Sequence, residues 1–432
     1  MEAKDLEQLY LLLDGLWALH DARGWYHAAI ELASDLLSVL ASTEPSPGRD
    51  AEEMTLRISL ARALLAVRGY TVEVEEEFSR ALELAPPGDA AHRFPVLRAL
   101  ATYHTNLSEF SRVVTIGREL LDIAEQERDG AMLVEGHLVL GLGTAFSGDA
   151  ETGLRHLDAA IELFDPKRHA PGRFHLGTSP GVVSRTTSAI LLRQSGAPER
   201  AAARAEEALQ VARQLHHPFS LAYALYHVGF FDLSRQRFDS AQAHAIELAS
   251  VAAEHDYPVW RALSSVLHGV CMCASGLAEE GVALTQAGTD LYLGLTTPPV
   301  FWPPLLGLRA GAFAMAGMPK EGLNLVDEAI ALPSSDAMIE TELRIARGDL
   351  ISALPDGDPA ECEQEYRSAA RIAGDLGMRL TQLQAVTRLV AVLRAQGRSP
   401  DGSDELSAIY DSFTEGFEEP ELVAARALLA GR

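Results

Sequence analysis

The sequence predicts an all-α protein: an α-solenoid of about ten helical hairpins, stacked as a right-handed superhelix. Three observations carry that expectation. A unit recurs along the chain, seen most plainly in residues 130–166 (GAMLVEGHLVLGLGTAFSGDAETGLRHLDAAIELFDP), where an apolar helix, a Ser-Gly-Asp turn and an amphipathic helix stopped near a proline make one hairpin. The chain has 432 residues, beyond the roughly 250–300 at which one compact core stops growing, yet no linker-like change of composition divides it. A solenoid resolves this, because each repeat buries its faces only against its neighbours. Hydrophobic residues make up 47% of the chain and aromatic residues only 6%, which fits helices packed through small side chains rather than a sandwich or barrel.

Within the unit, Leu140, Gly141, Gly153, Leu157 and Ala160 stand at offsets where a tetratricopeptide repeat places small or apolar side chains so that two helices approach closely and dock on the next pair. The second-helix triad Gly153/Leu157/Ala160 returns at Val74/Phe78/Ala81, Val113/Gly117/Leu120, Ala201/Ala205/Ala208, Ala241/Ala245/Leu248, Gly281/Thr285/Gly288, Gly322/Val326/Ala329 and Cys362/Tyr366/Ala369. Residues 6–20 and 25–40 read as an opening hairpin, 42–49 (STEPSPGR) as a loop, and 54–67 with 72–85 as the next hairpin, stopped by Pro86-Pro87-Gly88. Hairpins follow at 92–126, 130–166, 182–215, 218–255, 258–293, 299–332 and 338–376, with 379–395 beginning another. Residues 400–432 read as a C-terminal cap, its helices over 405–413 and 421–429. The spacing is about 40 residues against the roughly 34 of a standard tetratricopeptide repeat, which longer helices explain. The period breaks at 165–180 (DPKRHAPGRFHLGTSP), where about eight extra residues predict a loop on one face, often the binding face of a repeat array. A second irregularity, 296–306 (TTPPVFWPPLL), delays a helix start and requires Phe301 and Trp302 to pack nearby.

A formal net charge of -25 argues against nucleic acid as a general partner, since a phosphate backbone calls for a strong basic surface. Lys4, Lys167 and Lys320 are the only lysines, so the positive charge is nearly all arginine; a GC-rich genome accounts for this as readily as selection for bidentate anion contacts. Cys271, Cys273 and Cys362 are an odd, sparse set without the spacing of a zinc site or disulfide framework and read as small core residues. The N-terminal stretch MEAKDLEQLYLLLDGLWAL lacks a basic leader, and no long apolar run is free of charge, so no membrane partner and a cytoplasmic location are expected.

The chain holds no GxxxxGK[ST] loop, no GxGxxG after a strand, no HExxH and no GxSxG, so neither an enzyme activity nor a cofactor is expected. His216, His217, His227 and His244 lack convergent ligand spacing and read as structural or surface histidines. Lys167, Arg168, His169, Arg173, His175 and Arg185 concentrate positive charge at the period break. They read either as an anion-binding site, since arginine forks hold carboxylate or phosphate bidentately, or as a loop paired with neighbouring glutamates. Counting back from each triad places Arg98, Thr102, Glu135, Thr186, Arg193, Tyr223, Tyr226 and Phe230 on the concave surface. The aromatic run FSLAYALYHVGFF (219–231) supplies either ligand anchors or filling beside the longer loop.

Seven segments carry a more specific likeness: VRGYTVEVEEEFSRALEL (67–84), FPVL (94–97), EGHLVLG (135–141), FDPKRH (164–169), SPGVV (179–183), HHPFSLAYALYH (216–227) and FTEGFEEPEL (413–422). With them the chain resembles the C-terminal tetratricopeptide-repeat region of bacterial multidomain signalling proteins, in which an adenylate/guanylate cyclase or other output domain precedes an AAA-type ATPase module and then this helical array. The resemblance implies a scaffold or sensor role and a protein partner such as the ATPase or cyclase module. The chain lacks the cyclase's metal-binding carboxylates on a βαβ core and any phosphate-binding loop, so no catalytic residue carries over. The expected function is a non-catalytic scaffold or sensor that binds a partner protein or small effector in its groove to regulate a signalling or transcriptional output. The competing expectation is a pocket near 165–180 that binds a small anionic metabolite, with His169 or His175 as acid or base.

Overall fold

The computed structural model describes residues 26–43, 47–68, 70–169, 178–295, 302–332, 336–398 and 402–431. Among them lie twenty helices and no strand. They are α1 (Tyr26–Ala41), α2 (Pro47–Arg68), α3 (Val72–Leu84), α4 (Ala90–Asn106), α5 (Phe110–Glu127), α6 (Gly130–Phe146), α7 (Ala150–Leu163), α8 (Pro180–Gln194), α9 (Pro198–Gln214) and α10 (Pro218–Ser234). The second half continues with α11 (Phe238–Glu254), α12 (Pro258–Ala274), α13 (Ala278–Leu293), α14 (Trp302–Met315), α15 (Pro319–Ala331), α16 (Ala337–Ser352), α17 (Pro359–Asp375), α18 (Arg379–Ala395), α19 (Ser403–Tyr410) and α20 (Pro420–Ala430). From α2 onward each helix packs mainly on the helices before and after it, as an α-solenoid of antiparallel hairpins requires. The helix expected over 6–20 lies outside the described residues.

Local chemistry sets the helix ends. The carboxylates of Asp89, Asp129, Asp149, Asp336 and Asp358 accept from the first free N–H groups of α4, α6, α7, α16 and α17, and proline occupies the first turn of α8, α9, α10, α12, α15, α17 and α20. The loop expected over 42–49 is shorter than the proline content suggests. Helix α2 starts at Pro47 rather than at 54, because a first-turn proline has no intrahelical N–H to lose and its fixed φ suits the helix. Inside six of the hairpins the turn passes through the left-handed region, by Gly148 (φ 104), Gly196 (φ 96), Gly276 (φ 86) and Gly317 (φ 73), but also by Ser108 (φ 58) and Gln236 (φ 57).

Every member of the eight sequence triads is buried. The glycines among them set the interhelical distance: a Cβ built on Gly153 stands 2.5 Å from the Cβ of Ala145 on α6, and one on Gly117 stands 2.8 Å from the backbone of Leu140. The same closeness holds at Gly229 against Leu267, Gly269 against Gly281 and Gly348 against Tyr366.

The array does not end freely. Residues 413–422, between α19 and α20, dock on the turns that follow α8 and α10, about half the chain away. The Arg235 guanidinium donates Nη2 to Glu419 Oε1 at 2.6 Å and Nε to both carboxylate oxygens at 3.1 and 3.2 Å. Arg193 Nη2 donates to Glu421 Oε1 at 2.6 Å and to the Ser234 carbonyl at 2.9 Å. Glu415 accepts from the Glu199 and Arg200 N–H groups at the start of α9, and Glu199 in return accepts from the Gly416 N–H at 3.1 Å. Apolar contacts run alongside, with Phe413 over Gly196 and Leu376 over Gly148, and one core cluster joins Leu138, Leu157 and Leu191 to Met338, Ala373 and Met378. Trp302, at the second irregular stretch, packs near Tyr292 (6.4 Å between rings) and donates to Glu328; Phe301 lies outside the described residues.

Two glycine substitutions separate packing from propensity. Gly153→Ala drives a methyl into Ala145 and is expected to destabilise by about 1–3 kcal/mol. At Gly311, in α14, a Cβ meets nothing within 4 Å, so Gly311→Ala is expected to stabilise by up to about 1 kcal/mol. Chemical-denaturation midpoints of the two variants check this; shifts of the same sign refute the assigned helix register.

Candidate functional site: an aromatic interior

The run Pro218–Ser234 is apolar around most of its circumference, the pattern of a helix enclosed on all sides. Its start is fixed by the His217 ring, which accepts from the Ser220 N–H, while the Ser220 hydroxyl accepts from Ser179 N–H at 2.9 Å and ties α10 to the beginning of α8. From this anchored helix Tyr223, Tyr226, His227 and Phe230 project at i, i+3, i+4 and i+7, one face. The Tyr223 and His227 rings stack at 3.9 Å, Tyr226 meets His227 edge-on at 5.2 Å, and Trp260 of α12 stands 5.9 Å from both tyrosine rings, with Phe219 closing on it at 5.7 Å. Thr186 of α8 stands beside the Tyr223 hydroxyl, its own hydroxyl donating to the Val182 and Val183 carbonyls at 3.2 and 3.0 Å.

This cluster is uncharged at neutral pH. Burial pushes the Tyr223 hydroxyl up to about 12 and the Tyr226 hydroxyl higher still, with Tyr292 adding to the latter. Burial also lowers His227 to about 4, only partly offset by its hydrogen bond to the Tyr223 carbonyl, to which Nδ1–H donates at 2.8 Å. Tyr223 and His227 are half-buried and keep part of their surface accessible. Tyr70, after α2, is likewise raised to about 12, by burial and then by Tyr292, and its ring lies 6.1 Å from that of Tyr103 in the core of the early repeats.

The other residues singled out in the sequence lie elsewhere. Arg98 (8% exposed) and Glu135 (5% exposed) bond each other at 2.7 Å, and Thr102 Oγ1 accepts from Arg98 at 2.6 Å, so these three lock α4 to α6. Arg193 is taken by the C-terminal contact, and Phe230 is half-buried. Arg168 is solvent-exposed, 3.8 Å from Asp165, while His169 Nδ1 accepts from the Asp165 N–H at 2.8 Å. Arg185 turns inward, donating to the Gly181 carbonyl at 2.9 Å, standing 3.8 Å from Glu207 and lying over the Phe164 ring. Arg173 and His175 fall outside the described residues. Thus Thr186, Tyr223 and Tyr226 come together, while Arg168 faces solvent and the His169 ring (5.5 Å between rings) and the Arg185 guanidinium (5.8 Å from the ring centre) both lie against Phe164. Trp260, central to the cluster, carried no signal in the sequence reading because it belongs to the next repeat, one residue in a helix otherwise lined by small side chains.

Among the described residues no helix is long and apolar enough to cross a membrane, and no group of three or more His, Cys, Asp or Glu is gathered to hold a metal ion.

No family model matches the chain, and no curated protein matches it by sequence. Solved structures do. The chain is similar to a Rap protein complexed with competence and sporulation factor, with a TM-score of 0.50 and 13% identity over 98% of this chain and 99% of that one. It is also similar to yeast Tom70, with a TM-score of 0.43 and 12% identity over 98% and 96%. A third likeness is to a signal-transduction ATPase with a tetratricopeptide-repeat sensor from Pyrococcus horikoshii, with a TM-score of 0.42 and 12% identity over 88% of this chain and 55% of that one. The first of these likenesses runs the length of both chains and establishes the helical-repeat fold.

The depressed His227 gives the interior a pH signature. Unfolded, the imidazole takes up a proton near its ordinary value of 6.5; folded, it does so only near 4. Between these values the unfolded state binds more protons, so stability falls as pH drops from about 6.5 towards 4. His137, His156 and His217 are lowered by burial too and share the effect. His227→Gln is expected to make the slope of unfolding free energy against pH shallower by about one proton in this window, measured by urea unfolding from pH 7 to pH 4. Identical slopes would place His227 in contact with bulk water.

Proposed function

We propose that this chain is a non-catalytic tetratricopeptide-like scaffold or sensor, which binds a partner protein or small effector against its aromatic interior to regulate a signalling or transcriptional output. The observation that carries this reading is the Tyr223–His227–Tyr226–Trp260 cluster: rigid aromatic faces with hydroxyl and imidazole tips, none of them charged at neutral pH, enclosed by a preformed helical wall. Such a surface holds apolar side chains and neutral backbone groups and disfavours a bare charge, because desolvating an ion there is uncompensated. An extended peptide segment of a partner with aromatic or aliphatic side chains meets those terms. The resemblance to multidomain signalling proteins makes an AAA-type ATPase or cyclase module the partner to examine first.

The cysteines support a binding rather than a chemical role. All three are buried, burial raises their thiols, Cys271 to about 12, and none is a thiolate at neutral pH. The competing small-anion reading receives less support, since Arg168 faces solvent and Arg185 is engaged beneath Phe164.

The test is selection of extended peptides from a random displayed library against the folded protein, followed by affinity measurement with Tyr223→Ala. Truncating an interfacial aromatic anchor is expected to weaken the selected peptides by about 2 kcal/mol, roughly thirtyfold, in a variant that is less stable, because the ring also packs on His227 and Trp260, but still folded by circular dichroism. Peptides that bind both proteins equally would move the binding surface away from α10.

A further inference from the structure

The closure of the array leaves a cavity of about 700 Å³ with walls from distant parts of the chain. One wall is the set of turns after α4, α6 and α8; the other is the start of α16 and the turn between α17 and α18. Its lining is largely apolar: Phe110 and Phe146, stacked at 5.3 Å, with Leu191, Met338, Leu376 and Met378. It is separate from the aromatic interior on α10, none of whose rings line it.

One polar group in this wall is unsatisfied. Gln194 is 6% exposed, and its Nε2 donates to Glu342 Oε1 at 3.2 Å. With Glu342 ionised this is the one amide orientation that bonds, since the reverse would set two acceptor oxygens against each other, although burial pushes the Glu342 carboxyl up. The amide Oε1 is then left buried with no hydrogen-bond partner. Native proteins rarely leave such an acceptor unmatched, and here it belongs to a side chain that lines a cavity of the size small ligands occupy. The charges at the cavity edge are already matched: Arg112 bonds Glu75 at 2.6 Å and lies 3.4 Å from Glu109. A charged ligand therefore finds no free counter-ion there.

We propose that this cavity is a binding site for a neutral amphipathic molecule, one with an apolar body that lies between the Phe110–Phe146 stack and the Met338–Met378 wall and a single N–H or O–H donor that Gln194 Oε1, closed off from the cavity in this structure, accepts when its side chain swings towards the ligand. The inference does not depend on the aromatic interior being a peptide site.

The test uses the environment-sensitive dye N-phenyl-1-naphthylamine, with decanamide and methyl decanoate as competitors of matched apolar length, the first carrying a donor and the second none. Wild-type protein is expected to bind the dye saturably and to release it to both competitors, decanamide the tighter. Gln194→Leu keeps the apolar wall and removes the acceptor; it is expected to weaken decanamide about tenfold, the worth of one hydrogen bond, and to leave methyl decanoate unchanged. Ala337→Trp, which fills the cavity from the start of α16, is expected to abolish dye binding in a protein of unchanged circular dichroism. If that variant does not fold, the Gln194→Leu comparison decides alone. No saturable dye binding, dye binding that survives in folded Ala337→Trp, or a Gln194→Leu variant that treats the two competitors as wild type does would each overturn the proposal.

Discussion

Two arginines hold the solenoid closed. Arg235 and Glu419 retain 8% and 7% of their side-chain surface, Arg193 and Glu421 11% and 7%, so both pairs have left water and their attraction is little screened. Removing one partner of such a pair leaves an unpaired buried charge, a loss of about 3–5 kcal/mol. Repeat arrays ordinarily have only neighbour contacts; here the segment 413–422 adds contacts across roughly 180–230 positions of sequence. Closing so long a span costs only slightly more than closing a short one, since the entropy grows with the logarithm of length. The cavity beside Gln194 lies next to this contact, its two walls joined by the apolar cluster of Leu191, Met338, Ala373 and Met378.

The parts legible in the sequence were those whose cause is local. A small residue repeated where two helices touch is a steric requirement of the hairpin itself, and each triad found by its spacing is buried. The turn is local too, but Ser108 and Gln236 carry the left-handed conformation without glycine, so a glycine-based search loses the turn at those two repeats. What was not legible is which residues meet across the superhelix. Arg193 counts back from its triad onto the same face as Tyr223, yet its guanidinium is taken by Glu421, a residue on the C-terminal cap. Arg98 and Glu135 belong to neighbouring repeats and neutralise each other, and no spacing rule distinguishes that from two groups awaiting a ligand. FTEGFEEPEL stood out as a motif, but its partners on the turns after α8 and α10 appear only once the chain is wrapped.

The charge distribution follows the same division. The chain carries a formal net charge of -25, and several of its ion pairs join neighbouring helices, as in Arg57 with Glu77 or Arg347 with Asp327 and Glu361. The interior holds hydroxyls and a neutral imidazole instead. A strongly acidic surface disfavours contact with a phosphate backbone. On the proposed reading, the uncharged interior selects a partner by the apolar surface it can bury.

The central claim is that the 413–422 contact closes the superhelix, and small-angle X-ray scattering on wild type and the Arg193→Ala/Arg235→Ala double variant tests it most directly. With helical content confirmed equal by circular dichroism, the double variant is expected to show a larger radius of gyration and a longer maximum dimension, because the neighbour contacts persist while the C-terminal cap parts from the middle of the array. Superimposable scattering curves from two equally helical proteins would contradict the account and assign the closure to the apolar contacts of Met338, Met378 and Leu191 alone.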